Sequence, residues 1–172
     1  MDPIAPGYLL TWHTYGTWLH GDEAGSVDWL HNTFGTPRIA GDSARFERVR
    51  AELKGEPVVL SRTARILVDA VMRKHCGIRK WDLRALSVRS NHAHVVIASP
   101  VVDPETIMKQ LKDWGTRTLR AHRIVGMKQR PWADHGSTIY LFEAGSLERA
   151  VEYVRGQDGR EGREDWDLKL GL

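Results

Sequence analysis

His92 and His94 are one residue apart in the run Ser90-Asn91-His92-Ala93-His94-Val95-Val96-Ile97-Ala98-Ser99. Its β-branched content reads as a strand. Side chains alternate along a strand, so both imidazoles fall on one face, their α-carbons roughly 7 Å apart. Ala93, Val95 and Ile97 turn to the opposite face, which we assign to the core. Two converging neutral imidazoles can grip a divalent cation. The same spacing suits two surface histidines, and a hydrolytic zinc site would want a third strong ligand. The pair alone leaves both readings open.

Tyr153 and Gln157 form a second chemical pair. In residues 146–157 the apolar Leu147, Ala150, Val151 and Val154 recur at helical spacing. Tyr153 and Gln157 are four residues apart and share a face bordering that stripe. From there both side chains could reach over a sheet edge toward the histidines. A phenolate can attack a phosphodiester and form a covalent phosphotyrosine bond. An unaided phenol, with a pKa near ~10, is a poor nucleophile. A hard cation held by two imidazoles and an amide oxygen would polarise the phosphoryl oxygen and orient it. Taken singly, Tyr153 reads equally well as an amphipathic aromatic at the edge of a core.

These residues need elements to position them. Residues 8–14 read as a strand, and 15–40 as a long irregular loop holding Trp18, Trp29 and Phe34. Residues 42–54 suggest a short charged helix. A stronger helix over 61–75 opens at a Ser61 cap, ends at Cys76-Gly77, and carries Ile66, Leu67, Ala70 and Val71 as its apolar stripe. Strands follow over 82–89 and 91–99. Asp103-Pro104 starts another helix, with Ile107, Met108, Leu111, Gly115 and Thr118 inward and Lys109, Lys112 and Arg117 outward. A strand over 138–142 and a helix opening at a Ser146 cap complete the order, and a polar tail occupies 158–172. The expectation is one α+β domain over 1–172, with a ferredoxin-like β-α-β-β-α-β antiparallel sheet and an additional C-terminal helix. Two helices would cover one sheet face and leave the other open for a site.

Composition narrows the function classes. A chain of 172 residues can bury a core without disulfides, and Cys76, its single cysteine, excludes a cysteine-rich zinc site. No apolar run approaches the ~20 residues of a membrane helix. The opening Met1-Asp2-Pro3 has neither the basic nor the apolar stretch of a secretory leader, and the expected location is a reducing cytoplasm. The net charge is only +3, but it is unevenly spread. Residues 44–90 hold twelve basic and five acidic groups, and 105–131 hold seven and two. Such blocks fit a polyanion-facing surface as well as two solvated helices. Arg62, Arg65, Arg73, Lys74, Lys109, Lys112, Arg117, Arg120 and Arg123 are the candidate phosphate contacts. Trp18, Trp114 and Trp132 could stack on bases or simply pack, and His13 could orient a phosphate.

His92-Ala93-His94 resembles the histidine–hydrophobe–histidine (HUH) motif of single-strand DNA endonucleases. Ala150-Val151-Glu152-Tyr153-Val154-Arg155-Gly156-Gln157 resembles the tyrosine helix of the single-tyrosine transposases of bacterial insertion sequences. His135-Gly136-Ser137-Thr138-Ile139-Tyr140-Leu141-Phe142 resembles the strand preceding that helix. Tyr15-Gly16-Thr17-Trp18-Leu19-His20-Gly21-Asp22 is similar to the opening loop of the REP-associated tyrosine transposases. The resemblance spans residues 8–158. It implies that Tyr153 is the nucleophile and that His92, His94 and Gln157 bind Mg²⁺ or Mn²⁺. It implies single-stranded DNA beside a hairpin as substrate, cut through a 5′-phosphotyrosine intermediate that leaves a 3′-hydroxyl for rejoining. It implies no membrane partner and allows a homodimer, with Tyr153 serving its own site or a partner's. The central Ala93 is smaller than the usual hydrophobe. Two other readings stay open: a non-catalytic or domesticated hairpin-DNA-binding protein, and a metal-dependent hydrolase with water as nucleophile.

Overall fold

A computed structural model describes residues 7–17, 43–98 and 102–158. The expected loop from residue 18, including Trp18, Trp29 and Phe34, and the tail beyond 158 lie outside these residues. The elements are β1 (Gly7–Thr14), α1 (Ser43–Ala51), α2 (Arg62–Arg79), β2 (Asp82–Val88), β3 (His92–Ala98), α3 (Pro104–Ala121), β4 (Trp132–Tyr140) and α4 (Ser146–Asp158). The sheet order is β2-β3-β1-β4, and every neighbouring pair is antiparallel. This is the expected ferredoxin-like arrangement, with a further helix at each of two points along the chain.

Strand alternation divides the interior in two. Leu10, Trp12, Ala93, Val95 and Ile97 face α2 and α3, where they meet Val68, Met72, Ile107, Leu111 and Leu119. Leu9, Ala85 and Val96 face the other way and are covered by Leu147, Ala150, Val151 and Val154 of α4. The sequence suggested an open second face; instead α4 covers its apolar half. The α4 stripe needs an apolar partner, and it finds one across β2 and β3. Gly115 permits the close approach of α3 to the sheet, since a Cβ there would lie 2.9 Å from the Trp132 ring.

Helix ends show where local signals prevail and where they do not. Ser61 caps α2 by accepting from the Ala64 amide at 3.2 Å, and Asp103 caps α3 by accepting from Thr106 at 2.9 Å. But α2 continues through Gly77 and stops at Lys80, which adopts φ 56°. The Trp81 amide donates to the Cys76 carbonyl at 3.0 Å and the Lys80 amide to Gly77 at 3.2 Å, closing the helix with a left-handed turn. The buried stripe of α2 is also rotated from the expected one. It runs through Ala64, Val68, Met72, His75 and Cys76, whereas Ile66 is 60% exposed. Both stripes have helical spacing; the observed one includes a histidine that a hydropathy pattern does not count. In α3, Thr118 is only half-buried and Leu119 takes the inward place. Ser146 is not an accepting cap, because its hydroxyl donates to the Glu143 carbonyl at 2.7 Å. β4 starts at Trp132, earlier than expected, because it pairs with β1 through a shift in register between Trp12 and Thr14.

Candidate active site

The site face of the sheet has an apolar half and a polar half. Beyond the Leu9 and Val96 positions under α4, the register sets Ser137, Thr11, His94 and Ser87 side by side across the four strands. One step further along, His13 pairs with His92. The Arg89 amide donates to the His92 carbonyl at 2.8 Å, extending that row to the end of β2. Alternation places the Arg89 side chain on the same face, and it is 5% exposed.

The histidines meet as the strand spacing predicts. The His92 and His94 ring centroids are 4.8 Å apart. The Tyr153 ring lies 5.4 Å from that of His94, at an interplanar angle of 73°. Tyr153 is 37% exposed, so its ring borders solvent and not the core. It reaches this place because Ala150 and Val154, its neighbours on the helix, are buried against the sheet. The phenol thus meets the histidines from above the sheet and not around its edge, and it does so within one chain. Gln157 is half-buried one turn further along α4.

Each imidazole has a fixed oxygen partner at Nδ1. For His92 it is Asn91 Oδ1 at 2.5 Å, and for His94 it is Thr11 Oγ1 at 2.7 Å. An amide oxygen can only accept, so the His92 Nδ1 carries a proton and its lone pair sits at Nε2. That tautomer makes Nε2 the nitrogen through which His92 would bind a metal. Among the described residues no group of three or more His, Cys, Asp or Glu could hold a metal. A cation here would draw on two imidazole nitrogens, with the Gln157 amide on α4 as the candidate third protein ligand and water or a phosphate oxygen completing its shell. The donor set fits a divalent ion on those terms.

His13, half-buried, has its ring centroid 5.7 Å from that of His92. Sequence reasoning missed Thr11, Asn91 and Arg89. Asn91 directly precedes the histidine motif and could have been suspected there; Thr11 and Arg89 become visible only once the strands are paired.

The nine basic candidates are not brought to the histidines. All lie on α2, on α3 or just after it, in the layer on the other side of the sheet. Several have structural tasks. Arg73 bonds Asp69 through two nitrogens, at 2.7 and 3.1 Å, and the Leu86 carbonyl at 3.2 Å. Lys109 pairs with Asp113 at 2.7 Å. Lys112 donates to the carbonyls of Ala133, Asp134 and His135, and burial pulls its pKa down, with Glu105 opposing. Arg120 donates to the Gln129 carbonyl, and Arg117 lies 5.0 Å over the Trp114 ring. Arg65 is half-buried. Arg62, Lys74 and Arg123 are exposed. Trp132 is buried and donates Nε1 to the Lys112 carbonyl, so it packs and does not stack on bases.

The fold is that of an α+β protein with ferredoxin-like topology and a supplementary helix over its second face. Residues 53–157 match the family described as "Transposase IS200 like", and the chain belongs to that family. Its function class is therefore that of a transposase, with DNA as partner. The chain is also similar to the crystal structure of a "putative transposase" from Deinococcus radiodurans R1, with a TM-score of 0.50 at 15% identity over 90% of this chain and 92% of the other. That likeness concerns the fold. No curated protein matches the chain. Among the described residues no helix is long and apolar enough to cross a membrane.

Proposed function

We propose that this transposase is a single-strand DNA endonuclease and strand transferase whose nucleophile is Tyr153. The observation that carries this reading is the 5.4 Å approach of a partly exposed phenol to a ring of the strand-borne histidine pair. Tyr153 gives up its phenolic proton to solvent as Oη attacks the phosphorus, and the bond from phosphorus to the 3′ oxygen breaks. The 5′ side remains on the tyrosine as a phosphodiester; the 3′ oxygen takes up a proton and departs as a hydroxyl. A later attack by a 3′-hydroxyl reverses the chemistry and joins strands. His92, His94 and Gln157 would hold Mg²⁺ or Mn²⁺, which when bound would neutralise phosphoryl charge and orient the phosphate. His13, half-buried beside His92, suits the phosphate backbone of an incoming strand. The substrate is single-stranded DNA beside a hairpin, with the exposed cations of α2 and α3 as contacts for flanking DNA. The approach of Tyr153 to His94 within one chain favours cleavage by the tyrosine of the same chain.

The test is covalent capture. Hairpin-bearing single strands incubated with Mn²⁺ or Mg²⁺ form a protein–DNA adduct that survives denaturation, and chelation abolishes it. Tyr153→Phe binds the DNA but forms no adduct. An adduct of undiminished yield from Tyr153→Phe removes Tyr153 from the mechanism.

A further inference from the structure

We infer that Asn91 and Thr11 are positioning residues that hold His92 and His94 in the Nδ1-protonated tautomer, so that both rings present Nε2 to a cation. The inference rests on the proposed function for its purpose but on separate atoms for its content. Free imidazole has no fixed tautomer, and a ligand pair with one ring in the wrong form loses a donor. Here each Nδ1 faces an oxygen from a different backbone location: Asn91 Oδ1 at 2.5 Å and Thr11 Oγ1 at 2.7 Å. The amide oxygen can only accept; the Thr11 hydroxyl can accept or donate, and a cation on Nε2 of His94 requires it to accept.

Both oxygens are anchored. Asn91 is 5% exposed, and its carbonyl accepts from the Thr14 amide at 2.7 Å and from the hydroxyls of Thr14 and Thr17 at 3.2 Å each. The turn before β3 is thus tied to the end of β1, and the amide side chain starts from a fixed backbone. Thr11 is directly opposite His94 in the β1–β3 register, with strands on both sides of β1. A β-branched residue in a central strand has few rotamers, so its hydroxyl stays aimed at the ring. Oriented oxygen partners of this kind set ligand basicity and direction as well as tautomer, and their loss typically weakens metal affinity ~10–100-fold.

The experiment labels histidine with ¹⁵N in the full chain and records long-range ¹H–¹⁵N spectra without metal, near pH ~8, where an ordinary imidazole is neutral. Wild type shows His92 and His94 with the proton on Nδ1. Thr11→Val alters the tautomer of His94 alone, and Asn91→Ala that of His92 alone. Each variant lowers Mn²⁺ affinity by about 10–100-fold. Thr11→Ser and Asn91→Asp, which keep an acceptor, retain the wild-type tautomer and bind Mn²⁺ within a few-fold of wild type. Wild-type rings protonated at Nε2 overturn the inference, as do Thr11→Val and Asn91→Ala proteins with unchanged tautomers and affinity. Should Asn91→Ala not fold, the wild-type spectrum and the near-isosteric Thr11 pair still decide. A wild-type chain with the expected tautomers and Mn²⁺ binding but no DNA adduct sinks the Tyr153 reading and leaves this one standing. An adduct from a chain with Nε2-protonated rings does the reverse.

Discussion

The Tyr153 ring meets the His94 ring nearly edge to face, 5.4 Å between centroids, although 58 positions separate them in the chain. Their meeting is set by the seam between α4 and the sheet. Val154 and Ala150 are buried on Leu9, Ala85 and Val96, and Tyr153, adjacent to Val154, is left at the rim where the sheet face turns polar. The helix that stabilises the second face is therefore the one that delivers the phenol.

This coupling predicts the behaviour of Val154→Ala. Removing two buried methyl groups costs about 1–3 kcal/mol in stability. Because the loss falls in the seam, adduct yield per folded molecule drops as well. Urea denaturation gives the first quantity and quantitative capture gives the second. A stability loss with unchanged yield per folded molecule would show that α4 does not need this seam to place Tyr153.

The face of the sheet bearing His92 and His94 was legible because strand alternation follows from one rigid geometric rule. The tyrosine helix was legible because its stripe is short and unambiguous. The α2 stripe was not, because Ile66-Leu67 and Ala70-Val71 compete at helical spacing with Ala64, Val68, Met72 and Cys76, and only the packing partners choose. The covered second face followed from the same α4 stripe, but seeing it required asking what that stripe would bury. Thr11 is 83 positions from His94 in sequence, and register alone brings it near; Arg89 is three residues before His92, but only the pairing of β2 with β3 puts it in the same row. The basic blocks were the least resolved part of the sequence: charge density does not separate Lys112, which clamps the start of β4, from Lys74, which faces solvent.

That contrast is testable by salt dependence. Arg62→Ala and Lys74→Ala leave stability nearly unchanged. If these side chains meet phosphates, each lowers DNA affinity and reduces the salt slope of binding by about 1. Lys112→Met instead destabilises the fold by about 1–3 kcal/mol, because three carbonyls lose a charged donor. Thermal melts and binding titrations at several salt concentrations separate the two classes. A Lys112→Met chain of wild-type stability would contradict the clamp.

Gly136 offers a test of how strictly the sheet positions the histidines. It pairs with Trp12, and a Cβ there would lie 2.7 Å from the Thr11 carbonyl oxygen and collide with the Met108 sulfur. Gly136→Ala must displace β4 or β1, at a cost of about 1–3 kcal/mol. The Thr11 backbone carries the hydroxyl that holds His94, so Mn²⁺ affinity falls in the folded fraction too. Isothermal titration of the folded variant checks this, and wild-type affinity would show that the strand pair absorbs the strain elsewhere.

Cys76 predicts a loss of stability in alkali. It is buried on α2 against the core, and desolvation pushes its thiol up from 9.0 to about 11, with Arg73 pulling slightly the other way. The folded protein therefore keeps a proton that the unfolded chain releases between pH 9 and about 11. Stability from this group is fully present below pH 9 and falls as pH rises through that window, by roughly 2–3 kcal/mol in all. Lys112 works in the opposite sense, since its lowered pKa means the folded state sheds a proton earlier than the unfolded one. Wild type and Cys76→Ala share Lys112, so the difference between their stability–pH curves isolates the thiol. The expected result is a shallower alkaline decline for Cys76→Ala, measured by urea denaturation from pH ~8 to ~11. Parallel curves would mean that the thiol ionises as readily folded as unfolded, and that the α2 core admits water near Cys76.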